Sequence, residues 1–260
     1  MRPTEAELQL IRKADERAHK PLDAAERRAE LLIGGGAGLA TVALWLLPNT
    51  GHWSVAALGC VIAMLAASSI RIDVADGYTV PTQLSFLPLI FTVPANALPA
   101  VVIGVLALSR MPDVLRRKAP PARLLLSFAN GWFAIGPAIV LVLLGDPETV
   151  LRHPWYAAAL LGAQVASDFA ASTLREKIIR HAPVGEQLRE AAWVYGLDIA
   201  LTPAPLWLTA ATGKPALAAA ILLPALALVR TYAIERRRQI DALLQLTADN
   251  ARRTSTPIAT

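Results

Sequence analysis

The sequence predicts an all-α fold: a polytopic transmembrane helix bundle of about eight segments, with both termini on the cytosolic side. Three observations predict it. First, 55% of the 260 residues are hydrophobic, the mean hydropathy is +0.45, and the apolar residues form long blocks rather than helical or strand alternation. Second, only 17% are charged, against about 25% in an average soluble domain, and those charges are clumped between the blocks. Third, Ala and Leu dominate the blocks and β-alternation is absent. A chain in lipid must satisfy its own backbone hydrogen bonds, so the blocks read as helices rather than as a barrel.

Residues 1–28 are expected to form a cytosolic amphipathic collar. Thr4 and Glu7 have capping-box spacing, Pro21 interrupts the helix, and "DAAERRAELL" leads into the first span. This charged start is not a signal peptide. The bundle then occupies 29–233, with apolar segments at 30–48, 53–70, 79–94, 97–110, 124–145, 154–173, 191–211 and 215–233. A bilayer core about 30 Å thick needs about 20 helical residues. The third and fourth segments fall short, covering about 21–24 Å at 1.5 Å per residue. Pro81, Pro88, Pro94 and Pro99 also punctuate them. They read either as two short spans or as one re-entrant hairpin. Residues 234–260 are a cytosolic helical tail ending in disorder. Ile240, Leu243, Leu244 and Thr247 share one face of it, a seam for a polar tail or a short dimerising stalk.

Orientation follows the positive-inside rule. With the N-terminus inside, 23 of the 25 Lys and Arg residues fall on the inner side, and only Arg152 and Lys214 fall outside. The net charge of +5 is then a topology signal and an attraction to anionic headgroups. It does not imply nucleic acid, for which no motif is present. The expected location is a bacterial cytoplasmic membrane, with the lipid bilayer as the first partner.

The candidate site is polar residues inside apolar blocks. Asp168 lies in "QVASDFAAS", about five residues or roughly 8 Å from the inner end of its segment. Asp198 lies in "WVYGLDIALTPAPLWL", about seven residues or roughly 10 Å into the next one. Adjacent antiparallel helices therefore place both acids at one depth. Asn130 lies about six residues into the fifth span, at the same depth. Gln164 is one turn from Asp168 on the same face, and Ser127 and Tyr195 are one turn from Asn130 and Asp198. Gln83 is near the inner end of the third segment.

A lone acid at mid-helix costs about 2.5–3.5 kcal/mol on insertion scales. The acids are therefore expected to face the interior and to meet each other, Arg, amides or a ligand. At least one is expected to carry a proton, since close carboxylates oppose each other's charge. Pro203, Pro205 and Pro137 are expected to loosen the helices beyond Asp198 and Asn130. The ligand-binding candidates are thus Gln83, Asn130, Gln164, Asp168, Tyr195 and Asp198. The alternative is that these groups only bond helices together.

Catalysis is not expected. No nucleophile elbow, phosphate loop or zinc motif appears. Cys60 is the single cysteine, so no disulfide framework or Cys/His metal cluster is expected, and no cofactor. Intramembrane aspartyl proteases carry Gly-x-Gly-Asp and Pro-Ala-Leu. Here "YGLD" lacks the first glycine, and "PAL" recurs at Pro215–Leu217 and Pro224–Leu226, as an Ala/Leu-rich chain allows.

The motifs "DVADGYTVPTQLSFLPLIF", "RMPDVLRR", "VASDFAASTLRE", "WVYGLDIALTPAPL" and "ERRRQIDALLQL" resemble the N-terminal multi-helix membrane region of actinobacterial HD-GYP and GGDEF signalling proteins, which handle cyclic di-GMP. The resemblance covers roughly residues 28–246. It implies an input module that senses something at or in the membrane and passes the signal down the exit helix. It carries over Asp168, Tyr195 and Asp198 as positions in recurring motifs, without a chemical role. The departure is that no output domain follows the exit helix. The expectation is a sensor acting through a cytosolic signalling partner or a homodimer, or a truncated chain, that neither makes nor breaks cyclic di-GMP. The competing expectation is a small transporter or substrate-binding membrane subunit that uses a polar cavity around Asp168 and Asp198.

Overall fold

The computed structural model describes residues 20–47, 51–70, 72–74, 77–144, 153–180 and 183–255. The expected capping box at Thr4, and nearly all of the expected collar, lie outside these residues. Among the described residues the fold is helical apart from one small β-hairpin.

Helix α1 (Ala24–Trp45) starts at a capping box. The Asp23 carboxylate accepts from the Glu26 amide at 2.7 Å, and the Glu26 carboxylate accepts from the Asp23 amide at 3.1 Å. One face, with Ala29, Ile33 and Ala37, turns inward, while Leu32, Leu39 and Val42 stay exposed. Helix α2 is Ala56–Ser68. Strands β1 (Ile72–Val74) and β2 (Gly77–Thr79) pair antiparallel, with Asp73 opposite Tyr78. Val74 stands opposite Gly77, and this short hairpin leaves the chain in the all-α class the sequence predicts.

Helix α3 (Gln83–Ile90) is buried along its whole length. Eight residues cover only about 12 Å, so α3 lives inside the protein rather than against lipid. Its far end is tied to the loop between α1 and α2. The Ser54 amide donates to the Thr92 carbonyl at 3.0 Å, and the Asn96 amide donates to the Leu47 carbonyl at 3.4 Å.

Helix α4 runs Leu98–Leu115, so the fourth segment is not short. Arg110 does not end the helix, because its guanidinium reaches out to the Arg123 carbonyl at 3.3 Å. A 3₁₀ turn (Pro121–Leu124) leads to α5 (Leu125–Ala129) and α6 (Trp132–Leu144). The break falls at Asn130–Gly131, while α6 continues through Pro137, where the loosening was expected. At Gly131 a Cβ would run into the Ile103 side chain, so α4 packs directly against this corner. The Trp132 indole also pins the corner by donating to the Ile33 carbonyl at 2.9 Å.

Helix α7 (Pro154–Arg180) is followed by α8 (Val184–Leu201) and α9 (Pro203–Thr212). Pro203 splits the expected seventh segment in two, as a proline does when it cannot continue the backbone bonds. Gly213, at φ 60°, ends α9 in the left-handed conformation. Helix α10 (Pro215–Ser255) passes Pro224 unbroken. On the expected seam, Ile240 is 2% exposed and packs with the partly buried Leu243 and Leu244, while the Thr247 side chain lies outside the described residues.

The core is centred on α3, with Phe86, Leu89 and Ile90 packed among Met64, Leu98 and Ile135. Phe86 meets Phe133 edge-on at 5.1 Å. Three stretches are long and apolar enough to cross a membrane: Leu98–Leu115, Pro121–Leu144 and Pro215–Gln245. This is a membrane protein by length and composition, and its exposed apolar side chains are what a bilayer solvates.

Candidate functional site

Two antiparallel helices build the site. On α7, Gln164, Asp168, Ser172 and Arg175 recur at helical spacing on one face. On α8, Tyr195 and Asp198 do the same, and Thr202 continues the row at the junction with α9. The Tyr195 hydroxyl donates to Asp168 Oδ2 at 3.0 Å, and its ring stands edge-on to Phe169. Asp198 lies close enough to Asp168 for the two carboxylates to interact electrostatically.

One turn away toward α3, the acids give way to amides. Gln164 Nε2 donates to Gln83 Oε1 at 2.8 Å, and Gln83 Nε2 returns to Gln164 Oε1 at 3.3 Å. Gln83 Nε2 also donates to Thr202 Oγ1 at 3.0 Å, and that hydroxyl donates to the Asp198 carbonyl at 2.7 Å. Gln83 is 1% exposed and Gln164 6%. A buried amide without partners is costly, and here the reciprocal pair satisfies most of that demand while tying α3 to α7 and to the α8–α9 junction.

Five of the six expected residues therefore come together: Gln83, Gln164, Asp168, Tyr195 and Asp198. Asn130 is placed elsewhere. Its Oδ1 accepts from Arg175 Nη2 at 3.0 Å, and Arg175 Nε pairs with Glu30 Oε1 at 3.0 Å. Asn130 thus belongs to a neighbouring ionic cluster on α1, α5 and α7, joined to the acids through Arg175, which is within electrostatic reach of Asp168. Ser127, expected in the same layer, is fully buried with its hydroxyl unpaired.

Sequence reasoning missed Thr202, Glu30 and Arg175. Thr202 had a signal, since it stands four residues after Asp198, the spacing that identified Gln164. Glu30 and Arg175 had none, because nothing local relates residues 145 positions apart.

Replacing Gln83 by Leu tests the amide pair. It leaves Gln164 without its partner inside the bundle, and a cost of about 1–2 kcal/mol is expected. The double replacement Gln83→Leu with Gln164→Leu removes both ends and is expected to cost less than the single one. Unfolding midpoints in lipid nanodiscs measure both.

Chemically, the arrangement offers two interacting carboxylates, a phenol and paired amides. It can hold a proton or a ligand that brings positive charge or hydrogen-bond donors. Among the described residues, no three His, Cys, Asp or Glu side chains are grouped to hold a metal ion. In comparisons with known proteins, the chain matches no family model, no curated protein and no solved structure.

Proposed function

We propose that this protein is a sensory, ligand-binding input module of the bacterial cytoplasmic membrane. The observation that carries the reading is the partly buried Asp168–Tyr195–Asp198 group, held between α7 and α8 beside a broken helix. Broken helices around buried polar groups are how membrane proteins commonly build binding sites.

Eight crossings with both ends cytosolic fit this reading. The Lys/Arg asymmetry supports the orientation. The exposed Trp45, Trp53 and Trp155 lie at or near helix ends, where tryptophans mark a membrane–water interface. Thr92 and Asn96 bond to the α1–α2 loop, which supports α3 crossing within the protein rather than doubling back.

The mechanism follows from connectivity. Protonation or occupancy at Asp168 and Asp198 changes the charge beside the Thr202–Pro203 break. Helix α9 packs on α10, and α10 runs on past the bundle as a single helix of 41 residues. A shift at the break is thus carried to a cytosolic signalling partner. The motif resemblance to cyclic di-GMP signalling proteins favours sensing. The second reading, a small transporter, is favoured by one observation, the short enclosed α3 whose Gln83 closes on the site like a gate.

Spin labels at Arg28 and Arg238, in a Cys60→Ser background, test the sensor. The label distance in nanodiscs is expected to change between pH 5 and pH 8, and the double replacement Asp168→Asn with Asp198→Asn is expected to abolish the change. A response that survives in the double variant, or a wild-type protein that shows none, removes the reading. Net solute or proton flux in liposomes holding the purified chain alone selects the transporter instead.

A further inference from the structure

Helix α4 ends at an anomaly. Arg117 has φ 56° and is the only non-glycine residue with positive φ among the described residues. The chain closes there with backbone bonds from Lys118 and Ala119 to the Asp113 carbonyl at 2.8 and 3.2 Å. Helices usually place glycine at such a left-handed position, because a side chain is strained there. This chain places an arginine there, flanked by Arg116 and Lys118.

All three side chains are exposed, and none makes a hydrogen bond or ion pair among the described residues. Cations do complement a helix C-terminus, but that effect needs no strained backbone, and Arg116 or Lys118 alone would supply it. Directly above the triplet, Gly104, Leu108 and Leu115 share one exposed face of α4. Leu108 is 54% and Leu115 75% exposed, and nothing lies within 4 Å of where a Cβ would stand at Gly104. A shallow apolar track therefore runs down a membrane-length helix and ends at three cations that are unpaired among the described residues.

We propose that this is a binding site for one anionic phospholipid, its acyl chain along Gly104, Leu108 and Leu115 and its phosphate held by Arg116, Arg117 and Lys118. Charge complementarity selects an anionic headgroup over a zwitterionic one, and the adjoining apolar track selects a lipid over free phosphate. The strained arginine keeps a third cation over the headgroup position, where a glycine would leave a gap. Each cation near an anionic lipid surface is worth roughly fivefold in affinity, so the triplet is worth about a hundredfold.

The experiment uses the full chain in phosphatidylcholine nanodiscs with increasing phosphatidylglycerol, reading the thermal unfolding midpoint. The wild type is expected to gain stability as phosphatidylglycerol rises, and inorganic phosphate in pure phosphatidylcholine is expected to give no gain. Arg116→Gln, Arg117→Gly and Lys118→Gln together should remove most of the gain. The single variant Arg117→Gly should be more stable than wild type in pure phosphatidylcholine, because its backbone strain is relieved, yet respond less to phosphatidylglycerol. Lys20→Gln, Arg27→Gln and Arg28→Gln together remove as many charges elsewhere and should keep the gain. The proposal is overturned if the triplet variant keeps the full response, if phosphate alone reproduces it, or if the control variant loses as much.

Discussion

Arg175→Met is expected to destabilise the protein by about 3 kcal/mol, the low end of the range for breaking a buried ion pair. The cause is not the lost attraction but what stays behind. Glu30 is 3% exposed, and one of its oxygens already lacks a hydrogen-bond partner. Without Arg175 its carboxylate is enclosed with no contact cation, and Asn130 loses its donor as well. Arg110 and Arg123 lie within electrostatic reach of Glu30, which is why the low end is expected. The double replacement Glu30→Gln with Arg175→Met removes the stranded charge and should recover more than half of the loss. Equilibrium unfolding in nanodiscs measures both, and a double variant as unstable as the single one would show that the pair acts through packing rather than charge.

Gly136→Ala is expected to cost on the order of 3 kcal/mol, at the upper end for overpacking. A Cβ at Gly136 would run into the Ala163 carbonyl oxygen and would stand 2.6 Å from its carbon and 2.7 Å from Ser167 Oγ. The obstacle is backbone, so no rotamer change relieves it and α6 must move away from α7. Because α7 carries Gln164 and Asp168, the displacement should also loosen the Gln83–Gln164 pair. Gly35→Ala is the matched control. Nothing lies within 4 Å of the Cβ position there, and alanine inside a helix is expected to stabilise by roughly 0.5–1 kcal/mol. Thermal unfolding of the two variants should therefore shift in opposite directions.

These two positions mark where reading the sequence stops. The sequence by itself determined the helical class, the long apolar blocks and the one-sided Lys/Arg distribution, because each depends on composition along the chain. It also determined that Gln164 shares a face with Asp168 and Tyr195 with Asp198, because helical spacing fixes neighbours one turn apart. The Pro203 break was legible for the same local reason.

The tertiary structure decided which faces meet. Asn130 has the right depth for the acids, yet the rotation of α5 and α7 gives it to Arg175. Glu30 reads as the edge of a span, yet it is the buried partner of a residue far along the chain. Ile103 packs closely against the bend at Asn130–Gly131, while α6 continues through Pro137. Helix α3 reads as a short span, yet it is enclosed by its neighbours. In each case the deciding quantity is the rotation and spacing between helices. Close contacts such as Gly136 against Ala163 set that quantity, and no pattern within a single segment encodes it.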